Sequence, residues 1–186
     1  MKRAVILHGT NASPDKNWFP WLKKFLEQHD YQVWVPELPH NDTPNRFTYN
    51  DFLLNSGWDF ADNLVIGHSS GAVSVLNLIS DERCPKIKTA VMVGVWTDNA
   101  GTHLDPERFK DLFPENGFNP VLLKSKSDNM LFVHGELDPT CPLEQAVALA
   151  KSTSSEVIIV SGGNHLAADY PELPQLTSAL ESHGWL

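Results

Sequence analysis

Basic residues are scarce in this chain: 14 Lys and Arg stand against 23 Asp and Glu, a formal net charge of -9. That balance argues against nucleic acid or an anionic membrane surface as partner, since either needs a basic face. Cysteine is scarcer still. Cys84 and Cys141 are the two present; they lack metal-ligand spacing and are too few for a disulfide framework, so a reducing, cytoplasmic setting is expected. Long apolar runs are missing as well, and nothing approaches a membrane span. Met1-Lys2-Arg3 has the charge of a signal-peptide start, but the apolar run Ala4 to Leu7 stops at His8-Gly9, too short for an h-region.

What is present is an ordinary globular composition, 41% hydrophobic and 20% charged over 186 residues, enough for one domain with a full core. The order of the patterns is more informative. Ala4 to Leu7, Tyr31 to Val35, Leu64 to Gly67, Thr89 to Trp96, Asn129 to His134 and Glu156 to Val160 read as six short apolar strands,. Between them fall helical spacings: Trp18 to His29 with Pro20 in its first turn, a short helix near Asp51 to Asn55, Ala72 to Ser80, and one starting at Asp105-Pro106,. Another opens at Pro142, and a last runs from Pro171 to Ser182. Glu37 to Asn50 and most of Thr97 to Ser127 read as loop,. Strands alternating with amphipathic helices predict an α/β fold, a mostly parallel sheet covered on both faces, as a single domain over residues 1–186,.

The third strand runs into Gly67-His68-Ser69-Ser70-Gly71 and then a helix. A Gly-X-Ser-X-Gly pattern arises by chance in a chain of this length with odds of about one in twenty, so the pattern needs support from its surroundings. Placed between a strand and a helix, it sets Ser69 at a tight corner with its hydroxyl held out at the end of the sheet. In an open α/β sheet, ligands bind beyond the carboxyl ends of the strands. On that rim the first strand delivers His8-Gly9-Thr10-Asn11, the fifth Asp138 and the sixth His165.

Ser69, Asp138 and His165 therefore gather at one edge, in the chain order Ser, Asp, His. A serine hydroxyl is a poor nucleophile until a base removes its proton, and neutral imidazole is a suitable base near pH 7. A carboxylate behind the imidazole fixes its tautomer and stabilises its transient charge. Ser69 as nucleophile, His165 as base and Asp138 as orienting acid fill those roles. Activity is expected to fall in acid as His165 takes up a proton. Glu136 and Asp98 are rival acids by position. The oxyanion needs two backbone N–H donors, expected at Ser70 and at Thr10, with Asn11 as the nearby substitute. His8 and His68 read as supports for the turns, and Cys84 and Cys141 as packing thiols. Trp96, Phe109, Phe113 and Phe118 either line an apolar acyl pocket or pack a short helix.

The stretch Val65-Ile66-Gly67-His68-Ser69-Ser70-Gly71-Ala72 resembles the nucleophile elbow of the small serine hydrolases typified by retinoblastoma-binding protein 9. The carboxyl-terminal half is similar too: a strand into Gly135-X-X-Asp138, a Pro-started helix, then a strand into Gly163-Asn164-His165. The resemblance covers essentially the whole chain. One departure is Cys141 in Asp138-Pro139-Thr140-Cys141-Pro142, where many members have an aliphatic residue before proline. It implies a minimal α/β-hydrolase with a six-stranded sheet in order 2-1-3-4-5-6 and little or no cap. The implied activity is serine hydrolysis of small esters, thioesters or amides, without metal or cofactor. A protein partner is implied by resemblance alone.

Two rivals come from other classes. A binding module could keep the fold without turnover, although a scaffold has no physical need for Ser69, Asp138 and His165 on one rim. A nucleotide-binding module fits the strand alternation but needs a glycine-rich phosphate loop. Gly9-Thr10-Asn11-Ala12-Ser13 has one glycine,.

Overall fold

The computed structural model describes all residues, 1–186. Six strands form one all-parallel sheet: β1 (Lys2–Leu7), β2 (Tyr31–Trp34), β3 (Leu64–His68), β4 (Ile87–Val93), β5 (Ser127–Gly135) and β6 (Glu156–Val160). Their spatial order is β2-β1-β3-β4-β5-β6, so β1 and β3 are neighbours and the order reverses there. In register, Leu7 pairs with Gly67 and His68 with Val93. The strand ends that carry the polar loops thus line up side by side.

Side-chain alternation divides the core into two layers. Ala4 and Ile6 of β1, Leu64 and Ile66 of β3, Val91 and Val93 of β4, and Leu131 and Val133 of β5 face one way. On them pack α1 (Phe19–Gln28) through Phe19, Leu22 and Leu26, and α7 (Pro174–Ser182) through Leu176 and Leu180. Val5, Leu7, Val65, Ala90, Met92, Met130 and Phe132 face the other way, against α2 (Arg46–Leu54), α3 (Ser70–Ser80), α5 (Pro120–Lys126) and α6 (Leu143–Thr153). The period of two along each strand produces this sorting. Each fully buried Leu or Phe contributes about 1.5–3 kcal/mol relative to exposure. α3 is buried along nearly its whole length, which fits its apolar composition and central place. No helix is long and apolar enough to cross a membrane.

The segment from Thr97 to Ser127 holds two short helices. α4 (Pro106–Phe109) starts as its sequence predicts, the Asp105 side chain accepting from the Glu107 N–H. α5 is not anticipated by periodicity, because Leu123 is its one buried residue. Its start is nonetheless written in Asn119-Pro120: the Asn119 side chain accepts from the Val121 and Leu122 amides and proline occupies the first turn,. α2 begins at Arg46, earlier than expected, because Asn45 caps it through Phe47 and Thr48. α3 likewise begins at Ser70, directly at the corner. β4 stops at Val93, since Gly94 turns the chain at φ +60°. The last helix starts at Pro174 rather than Pro171.

Candidate active site

Ser69 occupies the corner between β3 and α3 at φ 55° and ψ −127°, a left-handed conformation that an L-residue holds only under strain. Its N–H donates to the Val93 carbonyl at 2.9 Å, and its carbonyl accepts from Ala72 and Val73. The flanking glycines are required by close approach. A Cβ on Gly67 would fall 2.2 Å from the Gly71 carbonyl oxygen, and one on Gly71 would fall 2.2 Å from that of Leu7. The corner is pressed against β1 and has no room for side chains there.

The loop after β6 brings in His165, whose Nε2 lies 3.0 Å from Ser69 Oγ and whose Nδ1 lies 2.8 Å from Asp138 Oδ2. An ionised carboxylate only accepts. Nδ1 therefore carries the proton and donates to Asp138, leaving Nε2 as acceptor for the Ser69 hydroxyl. Gly94 leaves space for this pair: a Cβ there would sit 3.4 Å from the His165 ring and 3.7 Å from Asp138 Oδ2.

The Asp138 side chain is wholly buried. Burial pushes its pKa up, but the hydrogen bond and charge of His165, with the Cys141 and Thr140 amides, outweigh that, and the pKa lies below the ordinary carboxylate value. Those amides donate to Oδ1 at 2.9 and 2.8 Å, respectively. The rival acids are engaged elsewhere. Glu136 accepts from Ser161 and Gly162, and Asp98 from Ala100 and Gln145.

Thr10 and Ser70 are brought together, Thr10 Oγ1 donating to Ser70 Oγ at 2.8 Å. His8 sets the adjoining backbone: its Nδ1 donates to the Gly9 carbonyl at 2.9 Å while its Nε2 accepts from the Leu38 N–H. The Gly9 carbonyl also accepts from Ala12. Because a trans peptide is planar, the Thr10 N–H must point the opposite way. Neither that N–H nor the N–H of Ser70, at the first position of α3, has an acceptor within the protein. The Asn11 N–H, by contrast, is bound to Asn41.

Two further imidazoles are buried beside the site. His68 donates through Nε2 to the His165 carbonyl at 2.9 Å. Burial, reinforced by the neighbouring His165, pushes its pKa down to about 3, so it stays neutral. His134, at the end of β5, donates through Nε2 to the Cys141 carbonyl at 3.0 Å, and that nitrogen lies 3.5 Å from Asp138 Oδ2. Burial lowers its pKa too. The sequence gives one signal for His134, a lone histidine ending an apolar strand four residues before Asp138.

Cys141 is buried, and burial raises its thiol pKa well above the ordinary value. Asp138, Cys141 and His165 bring potential metal-ligand atoms within 4.8 Å of one another. Asp138 and His165, however, are bonded to each other and the thiol is held protonated. Cys84 is buried at the other end of the sheet, its thiol pushed up to about 12 by burial. The aromatics divide. Trp96 and Phe109 are core residues packed edge to face at 5.7 Å. Phe113 and Phe118 border an open groove of about 710 Å³ beside α6, with Pro120 and Leu149.

The fold recurs in solved structures. That of the ydeN gene product of Bacillus subtilis matches with a TM-score of 0.86 at 20% identity, covering 100% of both chains. Est1E of Butyrivibrio proteoclasticus matches at 0.71 and 16% identity, over 99% of this chain and 87% of that one. The 2-hydroxy-6-oxo-6-phenylhexa-2,4-dienoate hydrolase of Rhodococcus sp. strain RHA1 matches at 0.67 and 17% identity, over 100% and 91%. At these identities the likeness is one of fold, that of the α/β-hydrolases. In sequence, the YdeN protein of Bacillus subtilis (strain 168) is 22% identical over 185 residues, 98% of this chain and 96% of the relative. The family model for serine hydrolases matches residues 4–182, from the first strand through the corner at Ser69 to the last helix, and the chain belongs to the serine hydrolase family.

Proposed function

We propose that the chain hydrolyses small esters, thioesters or amides through an acyl-enzyme on Ser69. The observation that carries this reading is the continuous line from Ser69 Oγ to His165 Nε2 at 3.0 Å and from His165 Nδ1 to Asp138 at 2.8 Å. As Ser69 Oγ attacks the substrate carbonyl, its proton passes to His165 Nε2. The resulting imidazolium is stabilised by the buried carboxylate of Asp138. The oxyanion is held by the unengaged N–H groups of Thr10 and Ser70. When the tetrahedral intermediate collapses, His165 returns the proton to the departing alcohol, thiol or amine. Water then repeats the sequence with His165 as base, releasing the acid and restoring Ser69. This chemistry requires neither a metal nor an organic cofactor.

The finer assignment to the retinoblastoma-binding protein 9 type rests on the sequence from Val65 to Ala72 and on the loops that carry Asp138 and His165. Two free, buried cysteines support the proposal of a cytoplasmic setting. Est1E has also been solved with ferulic acid bound, a small carboxylic acid of the kind that ester cleavage by this chain would release. The test is stopped-flow hydrolysis of p-nitrophenyl acetate. The expected result is a burst of p-nitrophenol equal to the enzyme concentration, absent in Ser69→Ala. Folded wild type with no burst and no turnover on acyl esters of any length overturns the proposal.

A further inference from the structure

His165 is carried by a loop that does not hold itself in place. Leu166, the next residue, adopts φ 52°, a left-handed conformation that a branched side chain avoids. Something must hold the turn there. The peptide between His165 and Leu166 is gripped on both sides. Its carbonyl accepts from His68 Nε2 at 2.9 Å, and its N–H donates to Asn164 Oδ1 at 3.1 Å. One residue on, the Leu166 carbonyl accepts from the indole N–H of Trp18 at 2.9 Å. Asn164 belongs to the loop itself. Trp18 precedes α1, and His68 is the last residue of β3, directly before Ser69. Only His68 joins the base to the nucleophile's own strand.

The environment of His68 indicates what the residue is kept for. It is buried at 3% exposure, packed between the rings of Trp18, Phe19 and His165, with centroids 5.9, 6.0 and 4.9 Å away. With Nε2 donating, its Nδ1 is a bare acceptor, and that atom is buried without a partner. Burying an unpaired acceptor is unfavourable, and an aliphatic side chain would fill the same apolar site without it. The bond made by the other nitrogen compensates.

We propose that His68 is a positioning residue. By donating to the His165 carbonyl it fixes the distance between Ser69 Oγ and His165 Nε2 and keeps His165 Nδ1 on Asp138. Side chain to main chain, this bond spans 97 positions and ties the strand end that delivers the nucleophile to the loop that delivers the base. The proposal rests on the reading of His165 as the base and adds a residue that touches neither substrate nor the reacting atoms.

The test compares His68→Leu, which removes the donor, with His68→Gln, whose amide nitrogen reaches about where Nε2 lies. Readouts are kcat and KM on p-nitrophenyl acetate, and the downfield proton NMR signal of His165 Nδ1–H on Asp138, which needs no turnover. Misplacing the base by about 1 Å is expected to lower kcat by about 10- to 100-fold in the Leu variant, with KM within about threefold of wild type. Its downfield signal should vanish, while the Gln variant keeps both signal and rate. Should His68→Leu fail to fold, His68→Asn, whose amide falls short of the carbonyl, takes its place. A donorless variant with wild-type kcat and signal overturns the proposal, as does a Gln variant that loses as much as Leu. If wild type shows the signal but no turnover, the hydrolase reading fails, and the pattern of signals across the variants still decides the role of His68.

Discussion

Ser69 Oγ and His165 Nε2 stand 3.0 Å apart although 96 positions separate them, and both residues reach that distance next to unfavourable backbone. Ser69 itself is at φ 55°, and Leu166, beside His165, is at φ 52°. Strain of this sort persists where the surrounding structure over-determines it. Here it is held by the close approach of Gly67 and Gly71 to neighbouring backbone on one side, and by His68, Asn164 and Trp18 on the other.

A stability prediction follows from the Ser69 backbone. Glycine adopts such a conformation without steric penalty. Ser69→Gly should therefore stabilise the chain by about 1 kcal/mol against denaturant, after the greater freedom of glycine in the unfolded chain is subtracted. Ser69→Ala keeps the strain and should unfold near the wild-type midpoint. Urea unfolding of the three proteins measures this, and a Gly variant less stable than Ala would show that the corner is not strained.

The fold and much of the site were legible in the sequence for identifiable reasons. Runs such as Ala4 to Leu7 and Thr89 to Val93 are apolar on both faces because the strands lie between two helical layers. Ser69, Asp138 and His165 could be placed because each follows a strand, and strand ends of a parallel sheet share an edge. Asp138 is preferred over Glu136 and Asp98 in the sequence by position and role alone; which carboxylate turns inward at the end of β5 depends on side-chain packing, which leaves no mark there. α5 escaped because an amphipathic pattern needs more than one buried residue, and Leu123 has no companion. The partners of His68 and His134 were illegible because they are backbone carbonyls, which leave no mark in the sequence.

Asp138→Asn keeps the volume of the side chain but offers a neutral amide to His165. The imidazole loses the group that holds its proton on Nδ1 and stabilises its charged form, and kcat should fall by about 10³- to 10⁴-fold. Glu136→Gln and Asp98→Asn should stay within about threefold of wild type, since surface substitutions away from a site change little. Steady-state kinetics of the three variants checks the assignment; equal losses in Asp138→Asn and either control would contradict it.

Stability should fall in mild acid because two histidines are buried in neutral form. His68 has its pKa pushed down to about 3 and that of His134 is also lowered, whereas in the unfolded chain a histidine titrates near its ordinary value of about 6.5. The unfolded state thus binds protons first. The contribution is fully present above the unfolded value and is lost as pH falls from there toward the folded values. Each histidine adds a slope of about 1.4 kcal/mol per pH unit within its window. Asp138, with its lowered pKa, adds a further loss below the ordinary carboxylate value. Denaturant midpoints from pH 8 to pH 4 should be level at first and then decline, less steeply in His68→Gln. A level profile down to pH 4 would mean that these groups are not buried neutral.

The central claim is that Ser69 is a nucleophile activated by His165. It is tested most directly by incubating folded protein with a fluorophosphonate probe at neutral pH and locating the adduct by peptide mass spectrometry. Wild type should carry one adduct, on Ser69, and Ser69→Ala should carry none. Folded wild type that stays unlabelled, or a Ser69→Ala variant labelled as fast as wild type, would contradict the claim.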